Sequence, residues 1–257
     1  MLELRGINKY YNPGTVNEMC LFQDFNLKVE KGEFVSVVGS NGSGKTSMLN
    51  IICGSIPVEA GQILVNDEDI TRQKEFVRNR KIGRVYQNPA VGTCPSMTIL
   101  ENMSLADNKG RYFGLSRGIN KARKEHYREI LGQLGLGLEE KMDVKVGSLS
   151  GGQRQAMALL MSTMTPIEFL ILDEHTAALD PKTAELIMRL TDQIVKEKQL
   201  TTIMVTHNLR YAVEYGNRLI MMHQGDCILD KAGKDKQNME TDDILRQFNE
   251  ISIECGN

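Results

Sequence analysis

The sequence has no long hydrophobic run and no strong excess of charge of either sign. No apolar stretch approaches the roughly 18 residues that a membrane-spanning helix needs, so we expect other chains to supply the span if the protein works at a membrane. The net charge is −2 over 257 residues, which gives no overall field that would favour nucleic acid or anionic lipid. With 41% hydrophobic and 25% charged residues, the chain is typical of a globular protein of one large or two small domains.

Cysteines are few and dispersed. The five cysteines, which lack the short spacings of a metal site, are Cys20, Cys53, Cys94, Cys227 and Cys255. An odd, scattered set is typical of reduced thiols in a cytosolic protein and not of a disulfide framework. The alternating, charged residues 1–5 do not have the pattern of a signal peptide. We therefore expect a cytoplasmic location.

A glycine-rich loop stands between a predicted strand and a predicted helix. Residues 39–46, G-S-N-G-S-G-K-T, fit the phosphate-binding pattern G-x-x-x-x-G-K-[ST]. Residues 33–38 read as a buried strand and residues 47–52 carry a helical pattern, which is the context that this motif requires. The glycines let backbone N–H groups point at a phosphate, and the helix adds the positive end of its dipole. Lys45 can then reach the β- and γ-phosphates, and the Thr46 hydroxyl can ligate Mg²⁺.

Strands and helices alternate around this loop. The segments 169–174 and 201–207 are apolar enough to be central strands of a parallel sheet that is covered on both faces. A hairpin is expected around residues 224–226. Between residues 88 and 166 no convincing strand is present, and helices are predicted at 99–105, 121–134 and 153–164. The pattern predicts a doubly wound α/β core with a helical insertion.

Two carboxylates follow the apolar strand that ends near residue 172. Asp173 is placed to hold Mg²⁺ opposite Thr46, and Glu174 is placed to polarise a water molecule that attacks the γ-phosphate. An acidic pair after a strand is more often part of a solvated loop. The phosphate loop upstream favours the catalytic interpretation here.

A second anion-binding helix start is predicted at residues 149–153, L-S-G-G-Q. This motif and the phosphate loop, in this order and before the strand of Asp173, resemble the ATP-binding cassette (ABC) ATPases, whose signature sequence is L-S-G-G-Q. The resemblance covers nearly the whole chain. It implies an α/β P-loop NTPase (RecA-like) core with an N-terminal antiparallel β part and an inserted helical subdomain. We expect residues 1–87 and 167–257 to form the core and residues 88–166 the helical signature subdomain.

The resemblance implies roles for further residues. Gln87 matches the glutamine that contacts Mg²⁺ and the attacking water and couples to the membrane partner. His207 matches the histidine that contacts the γ-phosphate, and residues 178–180 match the D-loop. Tyr11 matches the aromatic residue that stacks on adenine, with the adjacent Tyr10, or ordinary packing, as the alternatives.

The predicted site for ATP and Mg²⁺ has three parts. The catalytic residues are Glu174, His207, Gln87 and Lys45. The metal ligands are Thr46, Gln87 and Asp173. The nucleotide-binding residues are Tyr11, Gly39, Ser40, Asn41, Gly42, Ser43, Gly44, Lys45, Thr46, Ser47, Ser150, Gly151, Gly152 and Gln153.

The implied function is that of the ATP-hydrolysing subunit of an ABC transporter, an importer of amino acids or similar small solutes. The implied partners are transmembrane permease subunits, a second copy of the chain in an ATP-dependent head-to-tail dimer, and an extracytoplasmic substrate-binding protein as a further candidate. No nucleic acid is expected, and the subunit would lie on the inner face of the cell membrane.

One position departs from the family pattern. The family usually has Asp-Glu-Pro after this strand, whereas this chain has His175 after Glu174. The run D-E-H-T-A-A-L-D-P-K-T is similar to bacterial stand-alone subunits that accompany permeases of the branched-chain amino-acid type and are linked to aromatic amino acids. The departure removes no catalytic group.

Two other functions are open to a chain with these motifs. A soluble ABC ATPase that acts on nucleic acid or ribosomes usually carries two cassettes, long coiled-coil insertions or zinc modules, none of which is visible in the sequence. A phosphate-loop kinase that phosphorylates a small molecule would not need the L-S-G-G-Q motif.

Overall fold

The computed structural model describes residues 1–111 and 118–254, without the side chains of residue 121 and of residues 251–254. Cys255 lies outside the described residues. The strands in this part of the chain are β1 (Leu2–Tyr11), β2 (Met19–Val29), β3 (Phe34–Gly39), β4 (Ala60–Val65), β5 (Glu68–Asp69), β6 (Ile82–Val85), β7 (Phe169–Asp173), β8 (Thr201–Val205), β9 (Arg218–His223) and β10 (Asp226–Ala232). The helices are α1 (Lys45–Cys53), α2 (Glu75–Arg78), α3 (Ile99–Asp107), α4 (Lys124–Gly132), α5 (Gly151–Ser162), α6 (Pro181–Lys198), α7 (Leu209–Glu214), α8 (Gly233–Gln237) and α9 (Thr241–Glu254). The chain divides into two compact units, Met1–Gln73 with Thr201–Asn257, and Lys74–Leu200.

The first unit contains an antiparallel sheet with the strand order β2-β1-β4-β5. β1 is its centre, because Leu2 faces Val29 of β2 on one side and Val65 of β4 on the other. Alternate residues of β1 are buried on either side of a register shift between Leu4 and Ile7, which are themselves 1% and 0% exposed. This sheet confirms the predicted antiparallel part near the N-terminus.

The first unit also places β10, β9, β3 and β8 side by side in that order. β3 runs parallel to both of its neighbours, and all six of its residues are buried. β9 and β10 form the predicted hairpin. Helices cover this sheet, and Ile244 of α9 packs in a cluster with Val38 and Leu219. The parallel pairing puts the ends of β3 and β8 at one edge, where open α/β sheets bind ligands.

The second unit is built around the parallel pair β6 and β7, in which Val85 faces Leu172. Residues 88–111 and 118–166, which are the described part of the predicted insertion, contain helices and turns and no strand longer than the single bridge between Thr98 and Lys145. This agrees with the predicted helical character. The boundaries predicted for the core and the subdomain stay a prediction.

A cap fixes the start of α6, and one predicted helix differs from the structure. α6 begins at Pro181. Asp180 accepts a hydrogen bond from the backbone N–H of Thr183, and proline suits the first helical position. The predicted helix over residues 121–134 is a 3₁₀ turn, Lys121–Arg123, followed by α4.

Candidate active site

The phosphate loop connects β3 to α1, as predicted, and two of its glycines are required by their surroundings. At Gly39 (φ +156°) a Cβ atom would collide with the carbonyl oxygen of Met222 and lie 2.8 Å from Ser43 Oγ. At Gly44 (φ +100°) a Cβ atom would lie 2.8 Å from the ring of Phe22. Gly44 is the N-cap of α1 and has no side chain that could cap the helix. The first N–H groups of α1 are therefore available to an anion.

Lys45 lies inside the loop. Its Nζ donates to the carbonyl oxygens of Gly39 and Ser40, both at 2.8 Å. The residue is 5% exposed, so a fixed positive charge stands in the middle of the loop. Thr46 is exposed in the first turn of α1, where its hydroxyl is open to a ligand.

The two tyrosines at the end of β1 have different neighbours. The Tyr11 hydroxyl lies 3.1 Å from Ser47 Oγ in the first turn of α1. The Tyr10 hydroxyl lies near Cys20 of β2, and a hydrogen bond with that thiol raises the pKa of Tyr10. The structure thus places Tyr11, and not Tyr10, beside the helix that follows the phosphate loop.

His207 lies at the same edge of the sheet as the phosphate loop. Val205 of β8 faces Val37 of β3, so His207 and Gly39 each stand two residues beyond a paired position. The backbone N–H of Thr206 donates to the Val37 carbonyl at 3.1 Å and continues the pairing. The imidazole is exposed.

In the second unit, the predicted carboxylates and Gln87 lie at the ends of neighbouring strands. Gln87 and Glu174 stand two residues beyond the pair Val85 and Leu172. Glu174 has a left-handed backbone conformation, with φ +48°. Such a conformation is costly for a residue with a side chain and is concentrated at functional sites.

Asp173 has a partner that the sequence analysis missed. Arg84 Nη2 of β6 donates to Asp173 Oδ2 at 2.9 Å, and the two side chains are 10% and 13% exposed. The guanidinium also lies 4.6 Å from the centre of the Tyr86 ring. The only signal in the sequence is a charged residue inside a short strand that is otherwise buried.

His175 is a core residue and not an exposed loop residue. It is 2% exposed, and its Nε2 atom lies 3.2 Å from Thr191 Oγ1 of α6. Burial lowers the pKa of His175 to about 4. The imidazole is therefore neutral at pH 7.

The signature motif forms the start of α5, as predicted. Ser150 Oγ accepts from the Gln153 N–H, and Gln153 Oε1 accepts from the Ser150 N–H, both at 3.2 Å. This reciprocal pair is a capping box. A Cβ atom at Gly152 would collide with the Thr183 side chain, and one at Gly151 would lie 3.5 Å from Leu179. Gly152 thus lets α5 approach the start of α6, whereas a side chain at Gly151 would make only an ordinary contact.

Within the first unit the structure brings together the phosphate loop, Tyr11 and His207. Within the second unit it brings Gln87, Asp173 and Glu174 to one pair of strand ends. None of the helices in the described part of the chain combines the length and the hydropathy of a membrane span.

The mixed α/β fold and the glycine loop between β3 and α1 are those of a P-loop NTPase. The ABC transporter family matches residues 22–177, and the chain belongs to that family. It is therefore the ATP-binding, ATP-hydrolysing subunit of an ABC transporter.

Individual relatives agree with this assignment. The chain is 44% identical over 248 residues to the tyrosine transport ATP-binding protein of Clostridioides difficile (strain R20291), covering 96% of this chain and 98% of the relative. It is 31% identical over 230 residues to the probable ABC transporter ATP-binding protein PEB1C of Campylobacter jejuni subsp. jejuni (serotype O:23/36, strain 81-176), covering 89% of each. A solved structure, the dimeric post-hydrolysis state of the ATP-binding cassette MJ0796 bound to ADP and Pi, matches with a TM-score of 0.76 and 31% identity, over 90% of this chain and 98% of that one.

Proposed function

We propose that this chain powers the import of an amino acid, with aromatic amino acids as the first candidates, or of a similar small solute. The observation that carries the proposal is the identity of 44% over 96% of the chain to a protein named for tyrosine transport. Relatives named for methionine import and choline transport are more distant, at 31% and 33% identity.

ATP would be bound by the phosphate loop and by Tyr11, whose ring lies beside the first turn of α1. The exposed Thr46 hydroxyl and the oxygen atoms of Asp173 and Gln87 fit Mg²⁺, because this ion prefers oxygen ligands and keeps several waters. Bound Mg²⁺ would neutralise charge on the phosphates.

Hydrolysis would use the chain's own groups in separate roles. Lys45 and the N–H groups of the loop stabilise charge that grows on the γ-phosphate. Glu174 orients the attacking water and accepts its proton. His207 and Gln87 complete the site and hold the water and the γ-phosphate in line.

The partner on the membrane side would be a permease that docks on residues 88–98. Val91 and Met97 expose 62% and 37% of their surface in this segment. The buried Asn102 fixes the backbone of this segment. Its Oδ1 atom accepts from the Cys94 N–H at 2.7 Å, and its Nδ2 atom donates to the Cys94 carbonyl at 3.0 Å. A rigid backbone with apolar side chains exposed is suited to receive another protein. The subunit would then lie on the cytoplasmic face.

The working form would be a head-to-tail dimer in which the signature of one copy covers the ATP held by the other. Support comes from the exposed Ser150 at the start of α5 and from the dimeric state in the solved MJ0796 structure. An extracytoplasmic binding protein that delivers the solute is a further proposed partner.

Uptake measurements test the transport proposal. Cells that lack this chain should lose uptake of labelled tyrosine, and the wild-type chain should restore it while Lys45→Ala should not. Leucine uptake serves as the control for a branched-chain cargo. If the deletion strain keeps its tyrosine uptake and loses its leucine uptake, the solute is a branched-chain amino acid and not an aromatic one.

A further inference from the structure

The segment after β7 is a tightly constrained turn. Glu174 has φ +48°, and its carbonyl oxygen accepts from the Ala177 N–H at 2.9 Å. The next turn overlaps it, because the Leu179 N–H donates to the Thr176 carbonyl at 3.2 Å. A left-handed residue persists only where its surroundings over-determine it. Contacts around Glu174 must therefore hold its backbone in this conformation.

The side chain that follows Glu174 is anchored in the core. His175 Nε2 lies 3.2 Å from Thr191 Oγ1, and Thr191 is 0% exposed. The Thr191 hydroxyl donates its single hydrogen to the Ile187 carbonyl at 2.8 Å. It must then accept from His175, so the hydrogen-bond pattern assigns the proton to Nε2 of the imidazole.

We propose that His175 is a positioning residue that acts through Thr191 to hold the carboxylate of Glu174 in its working position. The hydrogen bond between His175 and Thr191 ties the turn to the middle of α6, which begins at Pro181 and is capped by Asp180. Since the neighbouring residues share one constrained turn, a shift of the His175 ring moves the Glu174 backbone. The inference rests on the proposed role of Glu174 in hydrolysis.

The test removes the hydrogen bond between His175 and Thr191 without changing a residue of the proposed catalytic site. Thr191→Val keeps the shape and removes the acceptor, whereas Thr191→Ser keeps the hydroxyl. Thr163→Val is the matched control. Thr163 is also buried, and its hydroxyl also donates to backbone carbonyls of a helix, those of Leu159 and Leu160. The readouts are kcat and KM for ATP, binding of a non-hydrolysable ATP analogue, and the melting temperature.

We expect Thr191→Val to lower kcat about tenfold, because a small misplacement of a catalytic group is costly. KM and analogue binding should change less than about twofold, since ground-state binding does not use this carboxylate. Thr191→Ser should retain kcat, and Thr163→Val should retain it even where it lowers the melting temperature. An unchanged kcat in Thr191→Val would overturn the proposal, as would equal losses of kcat in Thr191→Val and Thr163→Val.

A second comparison uses Glu174→Gln as the background. If His175 and Thr191 act through Glu174, adding Thr191→Val to Glu174→Gln should cause no further loss of kcat. Independent, multiplying losses would contradict the positioning role. Full turnover in Glu174→Gln alone would instead contradict the proposed role of Glu174, so the two failures are distinguishable.

Discussion

Arg84 Nη2 lies 2.9 Å from Asp173 Oδ2, and both side chains are nearly buried. The pair joins adjacent parallel strands, because Arg84 of β6 faces Ile171 of β7 two residues before Asp173. A carboxylate in this setting is costly without a counter-charge. Arg84 therefore balances the charge of the predicted metal ligand.

Replacing Arg84 by methionine should destabilise the nucleotide-free protein by about 3 kcal/mol, because Asp173 is left buried and unpaired. Urea unfolding without nucleotide measures the change. Lys196→Met is the control, since Lys196 pairs with Asp192 on the surface, where its side chain is 74% exposed, and such pairs contribute little. Equal shifts of the two unfolding midpoints would contradict a structural role for the Arg84 pair.

Glu174→Gln should still bind ATP but hydrolyse it about 10²–10⁴-fold more slowly, because an amide cannot accept the proton of the attacking water. Phosphate release by the purified variant measures turnover, and binding of labelled ATP confirms an intact pocket. Glu168→Gln is the control, because Glu168 directly precedes the same strand and its carboxylate pairs with Lys81 at 3.4 Å. Near-normal turnover in Glu174→Gln would remove Glu174 from the mechanism.

The local parts of the site could be predicted from the sequence, because each of them is a short continuous motif. The strand, glycine loop and helix around Lys45 depend on neighbours in the chain, and so does the capping box of Ser150 and Gln153. Their hydrogen bonds span two to six residues. Pattern and propensity are informative over such distances.

The contacts that were missed connect distant residues. Arg84 and Asp173 are 89 residues apart, and their contact depends on the register of two parallel strands. The choice between Tyr11, which the resemblance favours, and Tyr10 stayed open in the sequence for a related reason. The pairing of β1 with β2 shifts register between Ile7 and Lys9 and again between Lys9 and Tyr10. Because a bulge breaks the alternation of faces, counting along the strand could not tell which tyrosine meets α1.

Burial of His175 makes stability depend on acid. Its pKa is lowered from 6.5 to about 4 in the folded state, so the unfolded chain binds the proton more readily between these values. The contribution of neutral His175 to the free energy of unfolding is therefore fully present above pH 6.5. It is lost as the pH falls towards 4, by up to about 3 kcal/mol. Urea unfolding of wild type and His175→Gln across this range measures the effect. The difference between the two curves should change with pH, and parallel curves would contradict the assignment.

Residues 88–98 should contact the permease. Single cysteines at Val91 and Met97, in a background with Cys94 replaced by serine, should form cross-links to a co-purified permease because both side chains are exposed. A cysteine at the fully exposed Val16 of the other unit controls for random collisions. If Val91→Cys is protected from a thiol reagent even without permease, or cross-links no better than Val16→Cys, the surface serves another purpose.

The head-to-tail dimer should hold each ATP in a site that two copies of the chain share. Lys45 belongs to the phosphate loop in the first unit, and Ser150 belongs to the signature in the second. If each ATP lies between the loop of one copy and the signature of the other, Lys45→Ala and Ser150→Arg each leave a homodimer with no intact site. In a mixed dimer, both substitutions fall in one site, and the other site keeps the wild-type Lys45 and Ser150. An equal mixture should therefore regain up to about a quarter of the wild-type ATPase rate, because half of the dimers are mixed and each has one working site.

Circular dichroism checks that both variants are folded, since arginine cannot replace the capping bond of Ser150. No recovery of ATPase or of ATP-dependent dimerisation would count against the shared site unless the two sites are strictly coupled. A nucleotide seen bound by both motifs of a single chain would exclude the shared site outright.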